Sequence, residues 1–273
     1  MYMSGKMIEY MRRGRSSRPS RFSALLLGAV ASFSSRLLNA DEPATKNRPA
    51  VTTVANKADD DLRRKIVDGA IDQISKEYCG IGGTNPKNKH CLNCLGLVYA
   101  ALEKIGVNSQ KLSRNGTQMI PQLLGLHGIA TYQFKADMTN DKLFLLVLEQ
   151  EDGKVKETFI ENVTKKSLEK NLPPGYVLFL VNPRPNKNEN GQLKENPVAI
   201  INTQTGKLNR YWIWHTGISS DSLGEMVHAS YVPEGNVMHG HVQSEDLTAF
   251  VSNLGYSGVI AVKPNFAALR KVK

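Results

Sequence analysis

The sequence predicts an α+β fold, and two observations predict it. Apolar residues recur at three- and four-residue steps over residues 61–77 and again over 93–105, the spacing of one helix face. Short apolar runs of strand length follow at 176–181, 198–202, 211–219, 226–229 and 258–262. Helices first and strands afterwards are expected to segregate, with helices packed on an antiparallel sheet.

The first helix is read from Ile66, Val67, Ala70, Ile71 and Ile74, behind Asp59, Asp60 and Asp61. Those carboxylates suit an N-terminus through capping and the helix dipole. A Gly-rich loop, Gly80-Ile-Gly-Gly-Thr-Asn-Pro86, stops it. In the second helix Leu95, Val98, Leu102 and Ile105 share a face, Gly106 stands where a left-handed stop belongs, and Cys94 falls in the first turn. Residues 107–172 hold a strand at 142–149 and a charged hairpin return over 151–159, and are read as an insertion. The polar stretch 182–197 is read as a loop.

The chain has 273 residues and a net charge of +10. Residues 1–40 hold seven basic residues and one acid, so +6 of that charge sits there and +4 elsewhere. This distribution argues against a nucleic-acid partner. The basic stretch from Arg12 to Arg21 runs into an uncharged segment of 12 residues, 22–33, in the order of a secretory leader. We therefore expect a leader over 1–40, a disordered linker over 41–58 and a catalytic domain over 59–273, exported to the periplasm or medium. The Arg- and Ser-rich leader leaves organelle targeting as the alternative. The uncharged segment falls short of the ~20 apolar residues of a membrane-spanning helix, so no stable span is expected in the mature chain. A monomer is expected.

Cys79, Cys91 and Cys94 are the only cysteines and lie within 16 residues. A thiol acts as nucleophile only as thiolate, and a helix's first turn favours that anion through its free N–H groups and dipole. The same N–H groups suit an oxyanion, and a nearby imidazole completes the activation. His215 and His228 sit in strand-like segments and are the candidates; Trp212 and Trp214 are candidate cleft walls beside them. His90, His127, His239 and His241 are read as packed or surface histidines. In an exported protein Cys79 and Cys91 are the possible disulfide, which leaves Cys94 free. Two other readings stay open: a Cys91-Leu-Asn-Cys94 redox pair, and a zinc site adding Cys79 and His90.

Asn93-Cys94-Leu-Gly-Leu-Val98 resembles the Asp-Cys-Ser-Gly-Leu-Val signature of the NlpC/P60 cell-wall cysteine peptidases. His215-Thr-Gly-Ile218 with His228-Ala-Ser230 is similar to that family's His-Val-Gly-Ile and Ile-His-Ala-Ser pair. Pro174-Gly175-Tyr-Val-Leu-Phe179 resembles its Pro-Gly-Asp-Leu-Val-Phe strand, and Gly82-Gly-Thr-Asn-Pro86 its Gly-Gly-Thr-Ser-Pro loop. The resemblance implies a papain-like core with the nucleophile-bearing helix packed on an antiparallel sheet. It implies Cys94 as nucleophile, His215 as base and His228 as the residue that orients it. It implies a thiol protease, a hydrolase of peptide or amide bonds in peptidoglycan stems, working without a cofactor or metal. Asn93, Leu95 and Tyr176 depart from the family's Asp, Ser and Asp, and motivate a second expectation, a catalytically silent binding module of the same fold.

Overall fold

The structure is a computed structural model. It describes residues 51–270 apart from 127, 130–131, 139–142, 189 and 235–236, with the backbone alone at 51–56, 81–82 and 231–239. These residues belong to one compact unit, Pro49–Lys273. The expected leader, the first part of the linker, His127 and the side chain of His239 lie outside the described residues.

Helix α1 spans Val51–Ile71. Its start corrects the sequence reading, because residues 51–58 of the expected linker are helical and the three aspartates lie mid-helix. No Pro or Gly interrupts 50–68, so nothing stops the helix from extending upstream. Short strands β1 (Glu77–Tyr78) and β2 (Cys91–Leu92) come next. Helix α2 spans Cys94–Glu103, and Gly106 beyond it adopts φ +83°. Helix α3 is Gly116–Leu123 and strand β3 is Gln133–Ala136. Strands β4 (Phe144–Glu151) and β5 (Lys154–Glu161) form the hairpin, followed by α4 (Lys165–Asn171). Strands β6 (Val177–Asn182), β7 (Val198–Asn202), β8 (Leu208–Ser219), β9 (Glu225–Glu234) and β10 (Val237–Asp246) follow. Helix α5 (Leu247–Leu254), β11 (Gly258–Val262) and α6 (Phe266–Leu269) end the described chain.

The strands form a large, mostly antiparallel sheet in the order β2-β1-β10-β9-β8-β6-β11-β4-β5, with β7 joined to β8 and β3 to β7. Three pairs are parallel: β1 with β2, β4 with β11, and β3 with β7. The mixed α/β composition is compatible with α+β. The segment read as an insertion is integral to the fold, since β4 lies inside the sheet between β11 and β5 and its Leu145 and Leu146 are fully buried.

Alternation along the central strands divides the core in two. Val177, Phe179 and Val181 point to one face, where α1, α2 and α3 pack; Tyr176, Leu178 and Leu180 point to the other, under α4 and α5. Tyr176 is a packing residue of this second face. Its hydroxyl donates to Glu149 and its ring lies 5.9 Å from the Arg63 guanidinium carbon. Burial pushes its phenol pKa far up, so the hydroxyl stays a donor.

Strand β8 changes partners along its length. Residues 208–211 pair with β7, residues 212–218 run along β6, and Ile218 and Ser219 pair with β9. A register break falls between Leu180, opposite His215, and Val181, opposite Ile213. Trp214 is the extra residue, and such a bulge bends a strand and re-aims its side chains.

Candidate active site

Cys94 is the first residue of α2, and the local sequence explains why the helix starts there. The Asn93 side chain caps it by accepting the Gly96 N–H at 2.8 Å. Its amide also donates to the Gly80 carbonyl at 2.9 Å and the Thr84 hydroxyl at 2.8 Å. An aspartate would keep the cap but has no N–H to donate to the loop. Asn93 thus fastens the Gly-rich turn to α2. The contact is close: a Cβ added at Gly96 would lie 1.8 Å from the Gly83 carbonyl oxygen.

Cys79 and Cys91 are disulfide-bonded and Cys94 is free. Cys91 therefore bonds across the β1–β2 region, not to Cys94, and neither disulfide sulfur is a thiolate available to zinc. Among the described residues no group of three or more His, Cys, Asp or Glu is placed to hold a metal. No described helix is long and apolar enough to cross a membrane.

Cys94 and His215 border a common cleft of about 470 Å³, together with Leu95, Arg114, Glu195 and Trp214. Trp212 is not part of its lining. Burial pushes the Cys94 thiol up, while Thr216 and the N–H groups of Leu95 and of Cys94 itself pull it down less strongly. The Thr216 hydroxyl is buried without a hydrogen-bond partner among the described residues and lies close enough to the Cys94 thiol to lower its pKa.

The imidazoles lie on the other face of the sheet. His215 is paired with Leu180, whose side chain belongs to the α5 side, whereas Thr216 is paired with Phe179, on the α2 side. His215 Nε2 lies 2.9 Å from Nδ1 of His228. The two rings meet edge-on, and both pack on Phe250 of α5, with centroids 5.3 and 4.5 Å away. The structure thus brings His215 and His228 together; among the described residues no hydrogen bond joins Cys94 to His215. Burial lowers the pKa of His215 to about 4. His228, 0% exposed, falls to about 2 through burial first and then its neighbours His215 and His241. Both rings are therefore neutral at neutral pH.

Four residues of the site had no distinguishing signal in the sequence. Glu245 places Oε2 3.1 Å from Nε2 of His228. Phe250 backs the imidazoles, Thr216 meets the thiol, and Glu195 borders the cleft at the start of α3, where its carboxylate accepts the Gly116 N–H at 3.2 Å. Burial raises the Glu195 pKa to about 7, against the N–H groups of Gly116, Ile213 and Thr117, so its charge is poised near neutrality. His90 and His241 lie outside the cleft lining.

Cys94 is a free thiol at a helix start that meets the N–H groups of Leu95 and of its own residue, on a cleft that His215 also borders. Comparison with known protein families, with curated proteins and with solved structures gives no match for this chain.

Proposed function

We propose that the protein is an exported cysteine hydrolase of amide bonds with a papain-like core of the NlpC/P60 kind, acting on the stem peptides of peptidoglycan. The observation that carries this reading is Cys94 itself: a free thiol at the first position of α2, whose pKa burial raises and two backbone N–H groups lower in part, on a cleft that His215 also borders. The Cys94 thiol gives its proton to His215, the resulting thiolate attacks the amide carbonyl, and the N–H groups at the helix start hold the oxyanion. The His215 imidazolium then gives its proton to the leaving amine, breaking the C–N bond, and water hydrolyses the thioester. His228 orients His215. In the unliganded cleft the thiol lies by Thr216, and this mechanism requires β8 to turn the His215 ring toward the thiol when substrate binds. A second cavity of about 480 Å³, which shares Arg114 with the first, supports an extended, peptide-like substrate.

Incubation of the chain with purified peptidoglycan tests the reading: wild type is expected to release shortened stem peptides and Cys94→Ala none. Equal product from both would end it. The net upward shift of the thiol and the separation of Cys94 from His215 favour a second reading, a silent binding module of the same fold. Iodoacetamide separates the two. An activated Cys94 is alkylated well below the pH at which an ordinary cysteine reacts, and a silent one only above it.

A further inference from the structure

The geometry points to Glu245 as a positioning residue that fixes the tautomers of both imidazoles and leaves the basic lone pair of His215 on Nδ1. This inference rests on the reading of His215 as the base, and it follows from an accounting of donors and acceptors. An ionised carboxylate only accepts hydrogen bonds. Oε2 of Glu245 accepts from the Gln243 amide at 3.0 Å, a bond that favours the carboxylate against the burial that raises its pKa. Nε2 of His228, 3.1 Å from the same oxygen, must then carry the hydrogen. His228 is wholly buried and neutral, so its Nδ1 is left with a lone pair. The group 2.9 Å from that lone pair is Nε2 of His215, which must therefore be the donor. A neutral His215 with hydrogen on Nε2 has its basic lone pair on Nδ1, the nitrogen turned away from His228.

Without the Glu245 acceptor the chain of bonds has no preferred direction. His228 is then free to donate from Nδ1, His215 accepts at Nε2, and its Nδ1 carries the hydrogen, which abolishes the base. Second-shell acceptors fix histidine tautomers in this way at metal sites. The fold supplies the placement: His228 on β9 is opposite Gln243 on β10, which puts Gln243 and Glu245 on the imidazole face. Phe250 closes the apolar side. His241 on the same face of β10 acts on His228, and Asp246 acts on Glu245.

The full chain with 15N-labelled histidines tests this by long-range 1H–15N correlation near neutral pH. In the wild type both His215 and His228 are expected as the Nε2–H tautomer. Glu245→Ala and Glu245→Gln are each expected to give mixed tautomers at both rings, and Glu225→Gln, which removes the charge from the group that accepts from Ser244, to leave them unchanged. In a turnover assay Glu245→Ala is expected to lower kcat about 10- to 100-fold with KM unchanged, as second-shell losses do. A wild-type His215 protonated on Nδ1, or tautomers indifferent to both Glu245 substitutions, overturns the inference. Tautomers that respond in a wild-type chain with no turnover support the role of Glu245 and refute the hydrolase reading instead.

Discussion

Acidification from about pH 7 to about pH 4.5 is expected to weaken the fold through its two buried histidines, and His228→Gln is expected to remove about half of that loss. The native pKa values, about 4 for His215 and about 2 for His228, both lie below the unfolded value of ~6.5. As pH falls below ~6.5 the unfolded chain takes up protons that the native state refuses, so stability is lost at about 1.4 kcal/mol per pH unit and per histidine. For His215 the loss levels off near its native pKa; for His228 it continues further down. At about pH 4.5 each ring accounts for about 2 to 3 kcal/mol, about 5 kcal/mol for the pair. Glu195 acts with the opposite sign: its native pKa is raised to about 7, so it adds stability as pH falls through that value, but it does so in both proteins and cancels in the difference. Urea unfolding at the two pH values, followed by circular dichroism without reductant, gives the measurement. The stability change of His228→Gln should be smaller than that of wild type by about 2 to 3 kcal/mol. Equal changes in the two proteins would mean that burial does not hold His228 neutral.

Gly96→Ala is expected to abolish the seating of the Gly-rich turn on α2, because its methyl group would meet the Gly83 carbonyl at 1.8 Å; Gly80→Ala, whose Cβ would meet nothing within 4 Å, serves as the tolerated control in thermal melts. Asn93→Asp retains the cap and loses the bond to the Gly80 carbonyl, with an expected cost of about 1 to 3 kcal/mol by urea unfolding. Replacing both Cys79 and Cys91 with Ser opens a loop whose ends are 12 residues apart, and the loop-entropy relation gives about 3 kcal/mol of lost stability. Dithiothreitol should produce the same loss in wild type and none in the double variant. Thr216→Val removes the hydroxyl that meets the thiol and is expected to raise the pH at which iodoacetamide labels Cys94.

Local rules carried the sequence reading where one segment decides its own structure. The apolar run at 258–262 is β11 and that at 198–202 is β7, with the expected bounds. Cys94 and Gly106 fall at the first turn and stop expected of α2. Periodicity failed where the decision was tertiary. Nothing in residues 142–149 announces that β4 pairs in parallel with β11, since register is chosen by distant partners. The acidic run 59–61 looked like a helix start because carboxylates stabilise one, yet α1 continues upstream for want of a breaker. Glu245 lies 17 residues beyond His228 and reaches it only through the β9–β10 register. The side of β8 on which His215 falls depends on its pairing with Leu180 and on the bulge at Trp214, neither of which a motif encodes.

Because His215 and Thr216 are neighbours on β8 and look out on opposite faces, that strand is a partition with a different chemical environment on each side. A compound that fills the cleft and presses on Thr216 also moves the backbone that holds the His215 ring against Phe250. Occupancy on one side and proton affinity on the other then become linked quantities, each altering the other by the same factor. In practical terms, the histidine resonances report ligand binding at the thiol, and the search for compounds that bind this cleft can begin before any substrate is in hand.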